Sequence, residues 1–328
     1  MALAASIVCG WEVVLRVRGL GVASVDDGPE LWGRQRERAA VLGKDAIILI
    51  GASEMQMSID VDTMRRHTTG TPVQLAISAA PFLPLLADLA EDERITGTVV
   101  VSFSMSSFFS TTSDSLSEQW VRRYESQRAS RTRLFYERIE EQLSRAVSAV
   151  LISMGRDARP QQLLWPARTS YVRTLPDRTQ RADYEIVDRE AAYRHRVDVY
   201  LAGEEPSFRA VADLDARLSA VEGMIHKIQR RGGKVILVRF PTTKRIWQID
   251  EIMYPRDVYW SALARSTSAR TIHFADYPSL STFDLPDGVH LDYRDAPAFT
   301  AALSAILFAP AEPEETRLPA QTRLADGQ

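Results

Sequence analysis

The chain has 328 residues, 45% of them hydrophobic and 25% charged, a profile typical of a soluble protein with one large α/β domain or two small ones. Its formal net charge of −3 argues against a dedicated nucleic-acid binder. A single cysteine, Cys9, excludes an internal disulfide and any cysteine-rich metal site.

The N-terminal region, residues 1–43, begins with an apolar stretch at residues 2–9 that charged residues from Glu12 onward interrupt. This stretch is shorter than the roughly 20 apolar residues that span a bilayer. We expect it to be the last half of a membrane anchor whose upstream part is missing from this start, with an amphipathic helix docked on the domain as the alternative. Residues 30–43 predict a lead-in helix that stops at Gly43.

Strands and helices alternate along residues 44–308. The predicted strands cover residues 47–51, 72–77, 97–103, 234–240 and 271–275. The predicted helices are a short one capped by Asp60 or Asp62 and ending at His67, one from Pro81 to about Glu93, and one from Asp295 to Phe308. This alternation indicates an α/β fold with three α/β/α layers and a five-stranded, mainly parallel, flavodoxin-like sheet.

A large helical insertion, residues 104–233, separates the third and fourth strands. Its helices are predicted over about 117–152, 182–201 and 206–231, with a loop that carries Pro160, Pro166 and Pro176. Residues 118–180 hold twelve arginines against seven acidic residues. That excess suits either a surface for an anionic polymer or lipid headgroups, or a solvated helix face with ion pairs. The final residues, 309–328, predict a disordered tail.

Two local motifs carry the chemistry. Ser53 closes the run DAIILIGAS at the tip of the first strand, and Asp287 and His290 lie three residues apart in DGVH. A serine hydroxyl needs a base to become a nucleophile, an imidazole is the usual base, and a carboxylate fixes the imidazole tautomer. Gly288 permits a tight turn between the two. The motifs therefore predict a Ser53–His290–Asp287 triad, with ordinary turn chemistry as the alternative.

Several further side chains follow the predicted strands. Ser78 follows the second strand, and residues 102–106 end the third with three serines. Because active residues of open α/β sheets lie at the carboxyl ends of the strands, these serines and the triad are expected at one edge.

Five other residues near the strand ends have two interpretations each. For His273 we favour a buried structural imidazole over a catalytic role, and for Arg239 an ion pair over contact with a substrate. Trp247 and Trp260 either line a pocket or belong to the core. Glu54 either points at the cleft or is an exposed turn carboxylate.

The pattern resembles the SGNH (GDSL-type) hydrolase superfamily over roughly residues 44–308. Gly51-Ala52-Ser53 stands where that family has Gly-Asp-Ser, and DGVH matches its last block. More narrowly, GASEMQMSID and LPDGVHLDYRDAP are similar to membrane-tethered SGNH-like proteins of bacterial exopolysaccharide O-acetylation systems. The resemblance implies that Ser53, Asp287 and His290 are the catalytic residues.

The resemblance also implies an oxyanion hole, from which this sequence departs at the family's second block. That block normally supplies a glycine N–H, whereas residues 77–80 here contain none. The resemblance then leaves the backbone N–H groups of Ser53 and of Ser78 or Ala79 to hold the oxyanion.

The family's third block, Gly-x-Asn-Asp, is absent. Its position is occupied by Ser102-Phe103-Ser104-Met105. By analogy with other oxyanion holes, the lost asparagine donor costs about 3 kcal/mol of transition-state stabilisation. The hydroxyl of Ser104 or Ser106 is the candidate replacement.

The resemblance implies a serine-dependent esterase or acetyltransferase that acts on O-acyl esters of an envelope or exported polysaccharide. No pair of histidines has metal-ligand spacing with a carboxylate motif nearby, so the sequence predicts no metal, and no cofactor is expected. The implied partners are a polysaccharide or small acyl ester and a membrane-bound acyl donor, with no nucleic acid. The implied location is the periplasmic side of the cell envelope, and the cytoplasm is the alternative. The alternative functions are a catalytically degenerate SGNH scaffold that binds glycan or a partner, and a flavodoxin-like binding domain without a triad.

Overall fold

A computed structural model describes residues 9–11, 13–14, 24–110, 113–128, 171–203 and 214–309. Its strands are β1 (Ala46–Ile50), β2 (Thr71–Gln74), β3 (Thr98–Ser102), β4 (Val172–Thr174), β5 (Gln180–Ala182), β6 (Lys234–Arg239) and β7 (Arg270–His273). Five of them form one sheet in the order β2-β1-β3-β6-β7, and every pairing in that sheet is parallel. The predicted five-stranded α/β sheet is confirmed.

The strands of this sheet are apolar because both faces are covered. Along β1, Ile48 and Ile50 pack into one core together with Val99 of β3, whereas Ile47 and Leu49 pack into the core on the opposite face. Successive strand side chains point to opposite faces, so a continuous apolar run serves two cores at once.

Helices form the two outer layers. Against one face lie α1 (Pro29–Leu42), α4 (Leu83–Glu91), α5 (Met105–Phe109), α6 (Leu116–Arg128), α8 (Leu214–Arg230) and α10 (Tyr259–Ser266). Against the other lie α2 (Ser53–Ser58), α3 (Val61–Arg66), α9 (Lys244–Met253), α11 (Pro278–Ser281) and α12 (Ala296–Leu307). A further helix, α7 (Arg189–Gly203), packs on α9. The arrangement is a three-layer α/β/α fold.

Most predicted boundaries agree with the structure to within one or two residues. Helix α1 ends before Gly43, whose φ of +54° is a left-handed conformation that favours glycine. The Asp60 side chain caps α3 by accepting the backbone N–H of Thr63 at 2.8 Å. The second strand is shorter than predicted, although Ile77 still donates its N–H to Gly51 at 3.0 Å.

Two helices start later than predicted, α4 by two residues and α7 by a wider margin that makes its prediction wrong. Helix α4 begins at Leu83 rather than at Pro81, because Pro84 occupies its first turn and the N–H of Phe82 is bonded to the hydroxyl of Ser107 at 3.1 Å. Helix α7 begins at Arg189 rather than at residue 182, where the chain is still extended.

The insertion contains a β-hairpin that its sequence did not predict. Strands β4 and β5 pair antiparallel across a turn in which Arg178 has a φ of +72°. The segment was interpreted as a proline-punctuated loop because each strand has only three residues and arginines interrupt both. The described helices of the insertion are α5, α6, α7 and α8.

Several predictions lie wholly or partly outside the described residues. They are the apolar stretch at 2–9, the helical residues 129–152 and 206–213, the loop prolines Pro160 and Pro166, and the tail from residue 310. Among the residues that the structure does describe, no helix is both long and apolar enough to cross a membrane.

Candidate active site

Ser53 is delivered by a sharp turn from β1 into α2. Gly51 adopts a φ of +146°, and a Cβ on this residue would lie 2.5 Å from the Cβ of Ser102 on the neighbouring strand β3. Only glycine fits this close approach, which explains the Gly-Ala-Ser sequence after the buried strand. Ser53 then becomes the first residue of α2, at the carboxyl edge of the sheet and partly exposed.

The Asp287–His290 loop is held equally tightly. Gly288 has a φ of +87°, and a Cβ there would lie 2.8 Å from Ile246 of α9. Its N–H donates to the carbonyl of Leu285 at 2.9 Å, and its carbonyl accepts the N–H of Thr243 at 2.9 Å. The loop is therefore fixed at both peptide groups of its central glycine.

The structure brings Ser53, His290 and Asp287 together in one hydrogen-bonded chain. The Ser53 Oγ lies 2.7 Å from Nε2 of His290, and Nδ1 of the same ring lies 2.8 Å from Oδ2 of Asp287. The other carboxylate oxygen, Oδ1, accepts the backbone N–H groups of Val289 at 3.0 Å and of His290 at 2.8 Å. These are the contacts that a nucleophile, a base and an orienting acid require.

The environment of Asp287 keeps its carboxylate ionised. Only 1% of the residue is exposed, and this burial by itself raises the pKa. The charge and hydrogen bond of His290, followed by the charge of Arg196, outweigh burial and hold the pKa of Asp287 below its usual value. An ionised acceptor at Nδ1 favours the ring tautomer that leaves the Nε2 lone pair free for the Ser53 hydroxyl.

The predicted oxyanion donors next to Ser53 have free backbone N–H groups. Ser78 and Ala79 follow β2, and no acceptor for either N–H lies within the described part of the chain. Ala79 has a φ of +57°, a left-handed conformation that usually favours glycine. The side chain of Ser78 is engaged elsewhere, within 2.7 Å of Oε1 of Gln56 and 3.1 Å of Oε1 of Gln180.

The serines at the end of β3, Ser102 and Ser104, are engaged in local contacts. Ser102 donates to the Glu54 carboxylate at 2.6 Å, so Glu54 is neither a free cleft carboxylate nor an exposed one. Ser104 caps α5 by accepting the N–H of Ser107 at 3.3 Å. In both of its contacts Ser104 Oγ is the acceptor, so its hydroxyl proton stays available, and the role of Ser104 or Ser106 as an oxyanion donor stays a prediction.

Two residues at the site were not singled out from the sequence. Arg196 of α7 donates from Nε to Oδ2 of Asp287 at 3.3 Å, and its Nη2 lies 3.4 Å from Nδ1 of His290. The Tyr184 ring is buried near the same carboxylate, where burial and then the charge of Asp287 raise the pKa of the phenol. Both belong to the insertion, whose charged sequence offers no pattern that points to the triad.

A depression that we call the tryptophan cleft lies at the carboxyl ends of β6 and β7. It is small, with a cavity volume of about 20 Å³, and is lined in part by Arg239, Trp247, Trp260 and His273. Burial, with the charges of Arg256 and Arg239, lowers the pKa of His273 to about 3, so this imidazole is neutral.

The predicted structural contacts are present in this cleft. Arg239 forms an ion pair with Asp250, and Nδ1 of His273 accepts the N–H of Ala275 at 3.2 Å. Trp247 and Trp260 line the cleft and also pack edge-on against His273.

Comparison of the sequence with models of known protein families gives no match, and comparison with curated proteins gives none either. The assignment of chemistry to this site therefore depends on its geometry.

Proposed function

We propose that the protein is a serine-dependent esterase or O-acyltransferase with Ser53 as its nucleophile. The observation that carries the proposal is the hydrogen-bonded chain from Ser53 Oγ to His290 Nε2 at 2.7 Å and from His290 Nδ1 to Asp287 Oδ2 at 2.8 Å. Residues 237 positions apart in the sequence form this contact at the carboxyl edge of the sheet, where active sites of open α/β sheets lie.

In the acylation step, Ser53 Oγ attacks the carbonyl carbon of an ester while His290 Nε2 takes its proton. The oxygen of the tetrahedral intermediate accepts hydrogen bonds from the N–H of Ser53 and from that of Ser78 or Ala79. The intermediate collapses as the carbon–oxygen bond to the alcohol breaks. His290 returns the proton to that alkoxide, and the acyl group stays on Ser53.

In the second step an acceptor hydroxyl takes the acyl group. His290 removes the proton of that hydroxyl as it attacks the acyl carbon, and then returns a proton to Ser53 Oγ. Water as the acceptor makes the protein an esterase, and a sugar hydroxyl makes it a transferase. Asp287 stays ionised throughout and holds the ring of His290 in place.

The substrate class that we propose comes from the resemblance to the SGNH superfamily and to its exopolysaccharide O-acetylation members. Acetyl groups on an envelope or exported polysaccharide are the proposed cargo, with a membrane-bound protein as the acyl donor. The proposed location is the periplasmic side of the cell envelope, and a cytoplasmic location is the alternative.

Intact-mass spectrometry after exposure to a fluorophosphonate tests the activated serine, on wild type, Ser53→Ala and Ser281→Ala in parallel. Ser281 is an exposed serine of α11 whose hydroxyl donates to the carbonyl of Pro278, so it is the matched control. Wild type and Ser281→Ala should gain one adduct, and Ser53→Ala should gain none. Hydrolysis of p-nitrophenyl acetate should fall at least about 10³-fold in Ser53→Ala. Full activity in that variant contradicts the proposal.

A second candidate is a catalytically degenerate SGNH scaffold that binds glycan or a protein partner. The observation that favours it is that serines stand in place of the asparagine donor, and that one of them, Ser102, already uses its hydroxyl proton in a hydrogen bond to Glu54. A well-folded protein whose Ser53 does not react with the fluorophosphonate supports this second candidate and excludes the first.

A further inference from the structure

The helix α7 of the insertion lies directly over the Asp287–His290 loop. The hydroxyl of Tyr193 accepts the N–H of Arg245 at the start of α9 with a distance of 2.9 Å. The ring of the same tyrosine lies against Gly288, where an added Cβ would approach it to 3.1 Å. These contacts fix α7 with one face toward the triad loop, and Arg196 lies one turn further along that helix.

Arg196 completes the hydrogen bonding of the Asp287 carboxylate. Oδ1 already accepts two backbone N–H groups within the loop, while Oδ2 accepts from the ring of His290 and from Nε of Arg196 at 3.3 Å. A carboxylate offers about four acceptor positions, so these four donors fill it. The side chain of Asp287 is 2% exposed, and water has little access to replace a missing donor.

Among the described residues, one other donor lies close to this carboxylate, the buried hydroxyl of Tyr184. Burial, then the charge of Asp287 and a hydrogen bond to it, raise the pKa of this phenol. Arg194, two residues before Arg196, is exposed and paired with Glu190 on the same helix. Arg196 is therefore the arginine that donates to Oδ2 within the described part of the chain.

We propose that Arg196 is a positioning residue that fixes the Asp287 carboxylate against His290, so that the insertion supplies part of the catalytic apparatus. This role depends on the proposed function, because it acts on the reaction only through Asp287 and His290. An acid held by both oxygens presents Oδ2 to Nδ1 in one orientation, which aligns the imidazole with Ser53. Loss of the guanidinium leaves Oδ2 with one donor and lets the carboxylate rotate.

The test compares wild type with Arg196→Gln, Arg196→Lys and the control Arg194→Gln, each first shown to be folded by its thermal melt. The rate of fluorophosphonate labelling of Ser53 and the kcat and KM for p-nitrophenyl acetate are measured. Arg196→Gln is expected to lose about tenfold in labelling rate and in kcat, with KM unchanged, as for one charge-assisted hydrogen bond. Arg196→Lys is expected to regain most of that loss, and Arg194→Gln to match wild type.

A second readout needs no turnover. In protein labelled with ¹⁵N-histidine, the low-field proton signal of His290 Nδ1–H reports its hydrogen bond to Asp287. The signal is expected to move in Arg196→Gln and to stay in place in Arg194→Gln. If wild type shows this signal but its Ser53 is not labelled, the proposed function is contradicted. The effect of Arg196→Gln on the signal can still be measured in that case, so the positioning role is tested separately.

Two outcomes would overturn the positioning role. One is an Arg196→Gln protein with unchanged signal and a labelling rate within twofold of wild type. The other is faster labelling in that variant, since it would show that the guanidinium restrains the triad rather than aligning it. If Arg196→Gln does not fold, Arg196→Met decides, because it removes the donor and keeps a long side chain: a reduced rate with a moved signal supports the role, and wild-type behaviour in both readouts overturns it.

Discussion

Two buried carboxylates, Asp92 and Asp287, both have a lowered pKa, but they lie at opposite edges of the sheet and have different partners. The side chain of Asp92 is 4% exposed and that of Asp287 is 2% exposed. Burial raises the pKa of both, and cationic neighbours outweigh it, Arg94 and Arg36 at Asp92 and chiefly His290 at Asp287. Both carboxyl groups consequently have pKa values held below the usual range.

Their positions and partners separate them. Asp92 lies between α4 and β3, at the amino-terminal edge of the sheet, and its ion-pair partners in the described structure are arginines, which do not lose their protons. Asp287 lies at the carboxyl edge, and its first partner is an imidazole bonded to Ser53. A lowered carboxyl pKa therefore does not distinguish the two sites, whereas the imidazole that joins Asp287 to a partly exposed serine hydroxyl does.

The largest expected difference between the two carboxylates is in the reaction rate. Asp287→Asn replaces an ionised acceptor with an amide that can present N–H to His290 Nδ1, which favours the wrong ring tautomer. We expect kcat for p-nitrophenyl acetate to fall about 10³- to 10⁴-fold. Asp92→Asn should leave kcat unchanged in the same assay. Equal losses in both variants would mean that the rate follows overall stability rather than the chemistry at Asp287.

The next difference is in the free energy of unfolding, for which Asp92→Asn is expected to have the larger effect. Asp92→Asn leaves the fully buried guanidinium of Arg36 with Asp88 as its remaining carboxylate partner. Since Arg36 keeps that partner, we expect a loss of about 2 kcal/mol in the free energy of unfolding at pH 7, less than for a buried pair broken completely. Urea unfolding followed by circular dichroism measures it.

The same variant tests the lowered pKa of Asp92. A carboxyl whose folded pKa is below its unfolded value of about 3.8 contributes stability above that value and loses it as the pH falls toward the folded pKa. The gap in unfolding free energy between wild type and Asp92→Asn should therefore be constant from pH 5 to 7 and narrow below about pH 4. A gap that widens on acidification would show that the pKa of Asp92 is raised instead.

The two regions also differ in what their sequences reveal. Ser53 and the Asp287–His290 pair belong to short motifs at strand ends, so local pattern is sufficient to predict them as candidates. Arg196 reaches Asp287 across 91 positions, and Arg36 reaches Asp92 across 56. Ion pairs of such separation leave no periodic signal, because one arginine in a charged helix resembles any other.

The same limit applies to backbone geometry. Positive φ values are expected for glycine, and the structure has them at Gly43, Gly51 and Gly288, where the sequence indicates turns. Ala79 and Arg178 adopt positive φ values without a glycine, so their turns are fixed by surrounding contacts that the sequence does not show. Apolar runs predict the five strands of the large sheet. The hairpin of β4 and β5 has no such run, so its sequence does not predict it.

The smallest expected effect is that of Arg128→Gln. Arg128 and Arg196 each contact one of the two carboxylates from a helix. Arg128 lies 3.4 Å from Asp92 with a side chain 46% exposed, and Arg196 lies 3.3 Å from Asp287 with a side chain 26% exposed. Because Arg36 and Arg94 already neutralise Asp92, Arg128→Gln should cost less than about 0.5 kcal/mol in unfolding free energy, and added salt should abolish the difference. Labelling of Ser53 should be unchanged. If Arg128→Gln instead slowed labelling as much as Arg196→Gln, a general loosening of the insertion would explain both, because Arg128 has no contact with the triad through which to act.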